Sequence, residues 1–213
     1  MFQKSFGTSG VNAIGSFQLS QLNSSSVKSK LKAAGINTNS KQYKAAVKQM
    51  MSAGNGAMYG NIQGIKNLMS HYDKDGDYIN PVNGLAGLLV TDENESSRKR
   101  IISIPDSSKE EMYELTKKEF LRENGVHNGD TTKRTDVYNN LYRKMSKKDR
   151  LAAGYTLEKY ERIYRQAFYD AAKKADPNWE IGKPIKDGAL DSVTRETAES
   201  GKSPAQATLD TKI

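Results

Sequence analysis

Apolar residues recur along this chain at helical spacing more than at any other. Met58, Ile62, Ile65, Met69 and Tyr72 are separated by four, three, four and three residues, which is one face of an α-helix. Val27, Leu31 and Ala34 make a shorter seam, and Tyr43, Val47, Met50 and Met51 another. Further on the same period groups Met112, Leu115 and Phe120, then Val137, Leu141 and Met145, then Leu157, Tyr160, Tyr164, Ala167, Phe168 and Ala171.

Polar punctuation gives these seams their ends. The first helix is predicted from Ser25 to the Gly35 stop. The second starts at an Asn39 or Ser40 cap and runs to about Ser52. Gly54-Asn-Gly56 separates it from a third that ends near Tyr72. Ser107-Ser-Lys-Glu110 reads as a capping box, with Ser108 to Glu111 as a second register, for a fourth helix closed by Asn124-Gly125. The fifth covers Thr132 to Met145. Ser146-Lys-Lys-Asp149 opens a short helix ended by Gly154, and Thr156 caps the longest one, which stops before Asp176-Pro177. Asp191 or Ser192 starts a last short helix to Glu199.

Strand composition is confined to Arg100-Ile-Ile-Ser-Ile104, which ends at Pro105. Gly84 to Val90 reads as a short helix or a buried strand, and the two runs can pair as a small hairpin; Thr91 to Lys99 between them reads as a charged loop. The expected fold is therefore mainly α: a single multi-helix domain over 25–200, with at most a two- or three-strand patch near 87–104. Residues 1–24 read as a polar, mobile leader with a docking segment at Ile14 to Leu22, and 201–213 as a polar tail.

Composition narrows the classes. The 213 residues include no cysteine, which excludes disulfides, thiolate zinc sites and a cysteine nucleophile. Mean hydropathy is −0.76, and no apolar run approaches the length of a membrane span. Lys4 is followed by no apolar run of signal-peptide type, so no Sec signal is expected, and cytoplasmic residence or a specialised export route both stay open. The net charge of +8 is lopsided. Residues 1–72 hold no Asp or Glu, no Arg, and eight lysines: Lys4, Lys28, Lys30, Lys32, Lys41, Lys44, Lys48 and Lys66. The remaining 25 basic residues balance the 25 acids. An acid-free, lysine-only segment favours an acidic protein or an anionic polymer as partner. The lack of arginine counts against specific reading of nucleic acid.

Tyr72 to Asn83 carries the most chemistry. Asp73, Asp75 and Asp77 match positions 1, 3 and 5 of an EF-hand calcium loop. With the position-6 glycine deleted, Tyr78 takes position 7 through its carbonyl, Asn80 position 9 and Asn83 position 12. The bidentate Glu of position 12 is replaced. These hard oxygen donors suit Ca²⁺ rather than zinc, at the weak end of the range; the competing reading is a solvated Asp-Gly turn. His71 reads as a cation at a helix C-terminus. His127 is a loop histidine without a sequence partner for catalysis. The tyrosines Tyr138, Tyr142, Tyr155, Tyr160, Tyr164 and Tyr169 read as core and rim, with a ligand-stacking surface as the alternative. Trp179 is expected to fold back onto the helices.

From Ser26 onward the chain resembles a family of uncharacterised bacterial proteins, mainly clostridial. The resemblance is carried by "SKLKAAGINTNSKQYKAAVKQMM", "YDKDGDYI", "RIISIPDSSKEEMYELTKKEFLRENG" and "DRLAAGYTLEKYERIYRQAFYDAAKKADPNW". It implies a bacterial origin and a shared fold, and brings no activity with it. P-loop, G-x-S-x-G and H-E-x-x-H patterns are missing. The expected function is a non-enzymatic structural or interaction protein, exported in one version of that reading, that binds calcium weakly. The alternatives are a phage-derived, non-specific nucleic-acid-binding protein and a hydrolase using two distant carboxylates.

Overall fold

A computed structural model describes residues 16–53, 59–128, 131–202 and 204. The chain is mainly α and divides into two compact units, 1–86 and 87–213. Met58, the Gly54-Asn-Gly56 break, residues 1–15 of the leader and most of the tail lie outside the described residues.

In the first unit, Ser24 accepts a hydrogen bond from the Val27 N–H and starts α1, Ser25–Ala33. Gly35, at φ +79°, ends it, and the Ile36 N–H returns to the Leu31 carbonyl as in a Schellman stop. Ser40 Oγ accepts from the Tyr43 N–H at the head of α2, Lys41–Ala53. The inward arc of α2 centres on Tyr43 and Ala46, which leaves Met51, expected inside, 42% exposed. The third helix starts later than its seam suggests. Asn61 Oδ1 takes the Gly64 N–H at 2.7 Å, so α3 spans Ile62–Met69. Just before it, β2 (Tyr59–Gly60) pairs antiparallel with β1 (Phe17–Gln18), in the register Phe17 to Gly60. Phe17, Leu19 and Leu22 join Val27, Leu31, Ile36, Tyr43 and Ile65 in one core. The described part of the docking segment expected in the leader, residues 16–22, is thus an integral part of this unit.

In the second unit, α5 (Asp106–Arg122), α6 (Thr131–Lys144) and the 26-residue α7 (Arg150–Ala175) pack together, with α8 (Arg195–Glu199) against α7. Their core is aromatic: Tyr113, Phe120, Tyr164 and Phe168 are buried with Met112, Leu141 and Leu157. Trp179 folds back as expected, 6.0 Å from Phe120 and 5.8 Å from Tyr169 between ring centres, and its indole N–H donates to the Lys183 carbonyl.

Further along the chain the structure departs from the sequence pattern. The hairpin over 84–104 does not form: neither run is a strand. Extended residues 100–104 lie along α7 instead, where the Ile102 N–H donates to Thr156 Oγ1 at 3.1 Å and Ile104 enters the core. A side chain does the pairing that a second strand was expected to do. The region read as a charged loop contains a short helix, α4 (Glu95–Arg98), begun where Asn94 Oδ1 accepts from the Thr91 N–H. The Ser107 capping box is not made. Pro105 holds the N-cap position, Ser108 is fully buried on the inner face, and Ser107 accepts from Lys144 Nζ. Gly154 does not break the last long helix. A one-turn 3-10 segment, Lys147–Asp149, runs directly into α7, and Gly154 lies inside it because a Cβ there would meet Tyr142 Oη at 2.6 Å. The glycine lets α6 and α7 approach, so Thr156 is mid-helix and donates to the Ala152 carbonyl rather than capping.

Candidate functional site

The acidic loop leaves the end of α3. His71 sits exposed just past that helix, and its carbonyl accepts from the Ile79 N–H at 2.8 Å. Tyr72 and Tyr78 form an antiparallel bridge with their rings edge to face at 5.9 Å, so the loop closes on itself. Inside it, Asp73 Oδ1 accepts from the N–H groups of Asp75 at 2.9 Å and Asp77 at 3.0 Å. Gly76 supplies the turn at φ +85°; a Cβ there would sit 3.0 Å from the Lys41 carbonyl oxygen. This folding gathers one carboxylate oxygen from each of Asp73, Asp75 and Asp77 within 4.8 Å of one another. Such crowding of like charge favours a cation, and the donors are the hard oxygens that calcium takes.

The rest of the sequence-derived ligand set is arranged differently. Asn80 Oδ1 accepts from the Val82 N–H and Asn83 Oδ1 from the Leu85 N–H, so both amides build the next turn. No exiting helix follows: 84–90 is neither helix nor strand, and Ile79 bridges to Ala86 instead. An entering helix and a gathered Asp trio are present, while the second half of an EF-hand is replaced by turns.

The described lysines between residues 16 and 72 lie outward. Lys28, Lys30, Lys32, Lys41, Lys44, Lys48 and Lys66 are all exposed. On α2, Lys41, Lys44 and Lys48 fall on one stripe. On α1, Lys28 and Lys32 flank a shallow groove of about 520 Å³ with Ile36, Asn37 and Asn39. Acid-free sequence through residue 72 gives these ammonium groups no side-chain carboxylate of their own segment to meet.

The second unit holds a buried ionic cluster. Arg134 of α6 donates through Nη2 to Glu119 Oε2 of α5 at 3.0 Å, and through Nη1 to Glu161 Oε2 of α7 at 3.2 Å. Arg165, one turn beyond Glu161, reaches it through Nε at 3.4 Å and lies 3.6 Å from Glu119. The Glu119 and Glu161 side chains are 1% and 6% exposed. Two guanidiniums face two carboxylates, so the quartet is internally compensated and braces three helices. Burial leads the effects on Arg165, whose guanidinium is held below its usual value.

Residues 36–213 match the family model described as Domain of unknown function (DUF3879). The chain belongs to that family. The matched span takes in α2, the acidic loop and all of the second unit, while β1 and α1 precede it. No curated protein and no solved structure matches the chain.

Sequence reasoning missed the ionic quartet. One signal was present: Glu119 continues the buried Met112, Thr116 stripe of α5, where a charge is out of place unless paired. Its partners lie 15 and more residues away and cannot be assigned by spacing. The tyrosines are core and rim: Tyr164 is fully buried with its hydroxyl on Glu199, and Tyr138 is half-buried with its ring 6.0 Å from that of Tyr142. Burial pushes the Tyr138 and Tyr164 phenols far above their ordinary range, so both are neutral. Among the described residues no helix is long and apolar enough to cross a membrane.

Proposed function

We propose that this protein is a non-enzymatic interaction protein whose first unit engages an anionic polymer, and whose acidic loop takes calcium weakly. The observation that carries the reading is the set of seven exposed lysines in a segment without acids. Ammonium groups spread over α1, α2 and α3 supply diffuse attraction, and nothing among them offers the planar fork that reads bases. Attachment to nucleic acid is then non-specific, with Kd on the order of 10⁻⁴–10⁻⁶ M and steep salt dependence. On immobilised heparin the full chain is expected to be retained at low salt, and Lys28→Gln/Lys32→Gln/Lys44→Gln/Lys48→Gln to elute markedly earlier. Flow-through of the parent at low salt would remove the reading. A sequence-selective DNA complex that persists near 200 mM salt, about where non-specific contacts fade, would replace it with the nucleic-acid alternative.

The calcium reading rests on the gathered Asp73, Asp75 and Asp77 oxygens, with the Tyr78 carbonyl as a further donor and Asn80 and Asn83 contributing through any lone pair their turns leave. Lacking the bidentate Glu, the loop is expected near 10⁻⁴–10⁻³ M, about the affinity of extracellular modules. Such a site fills outside a cell and stays empty in cytosol, which accords with export. At about 100 times Kd the ion adds roughly 2.7 kcal/mol. Melting the parent and Asp75→Ala with calcium and with chelator measures this. The parent alone is expected to shift, and an unshifted parent makes the loop an ordinary acidic turn.

A further inference from the structure

His127 lies in the connection between α5 and α6, with its Nε2 3.4 Å from Arg134 Nη1. Arginine has donors only and stays charged. A hydrogen bond between these two nitrogens therefore requires Nε2 to be the acceptor, which fixes the ring as neutral with its proton on Nδ1. A protonated ring would turn an N–H toward an N–H. The residue keeps contact with solvent, so a proton can reach it.

Among the described residues, four charged groups act on the ring. Arg134 comes from α6, Arg165 and Glu161 from α7, and Glu119 from α5. The two carboxylates are already engaged by the two guanidiniums. Among these groups, a third cation at His127 meets no carboxylate that a guanidinium does not already hold. Next to it, the Asn128 N–H donates to Glu123 at the end of α5, so the connection is pinned at two successive residues.

We propose that His127 is a pH-sensitive latch: neutral, it accepts a hydrogen bond from Arg134 and ties the α5–α6 connection to the buried ionic cluster; protonated, it lets go. Partial desolvation, then Arg165 and Arg134, hold its pKa below the usual imidazole value, against the smaller pull of Glu161 and Glu119. An unfolded histidine titrates near about 6.5. With the folded value lower, the latch contributes above that pH and is lost as the pH falls through the folded midpoint.

The test is a pH titration of the full chain by nuclear magnetic resonance. Long-range nitrogen–proton spectra at about pH 8 should show the His127 proton on Nδ1, and the ring midpoint should fall below about 6.5. Protection of the Asn128 amide, corrected for intrinsic exchange, should be lost across that midpoint. His127→Gln keeps an acceptor and removes the titration, so its Asn128 protection should be level through the same range. A proton on Nε2, a midpoint at or above about 6.5, or parent Asn128 protection that does not change with pH would each overturn the latch.

Discussion

Arg165→Ala should destabilise the second unit by about 3–5 kcal/mol, the cost of breaking a buried ion pair from one side. The Arg165 side chain is 9% exposed and shares Glu119 and Glu161 with Arg134. Its loss leaves one guanidinium for two buried carboxylates, and a desolvated negative charge stays behind uncompensated. Trp179 is the only tryptophan and lies in this unit, so its fluorescence reports the unfolding in urea. Replacing all four members by apolar residues of similar volume should recover most of the loss, because desolvation and attraction then disappear together. A cost for Arg165→Ala below about 1 kcal/mol, the value of an exposed pair, would mean that the cluster is hydrated and does not brace the helices.

Phe168→Ala should cost a similar amount, about 3–5 kcal/mol, by a different route. The ring is fully buried, 5.5 Å from Tyr113 and 5.7 Å from Phe120 between centres. Truncation removes apolar burial and leaves a cavity walled by aromatic rings that have little freedom to collapse into it. Phe168→Leu should recover much of the loss. In the same urea titration Leu89→Ala, at a residue 54% exposed, should stay within about 0.5 kcal/mol of the parent. A Phe168→Ala midpoint matching that of Leu89→Ala would show that this core is not packed as described.

Legibility followed the range of the interactions. The Gly35 stop could be read because it acts over a few residues, and the Phe168 seam because a helix repeats its inward face. Gly154 misled because a glycine that ends a helix and a glycine that lets a neighbour approach are the same letter; Tyr142, which decides it, is on another helix. Ile102 misled because β-branched composition reports an extended backbone and does not report what the backbone pairs with; its partner is Thr156, 54 residues on. The Asp73 trio was legible as a local pattern, whereas the use of Asn80 and Asn83 in turns depends on where the chain goes after Pro81. Glu119 and Arg134 meet only once α5 and α6 are folded against α7.

The extended residues 100–104 have a consequence for the chain in crowded solution. Ile101-Ile-Ser-Ile104 makes no ladder with another strand among the described residues, and Ile101 is 37% exposed. Short, β-branched, uncharged runs with an open edge are templates for cross-β aggregation. Here the run is bracketed by Arg98, Lys99 and Arg100 on one side and Pro105 on the other, residues that act as gatekeepers by repelling or refusing a stacked copy. The Thr156 hydroxyl, by holding the Ile102 N–H, keeps the middle of the run folded against its own helix and withdraws it from intermolecular pairing.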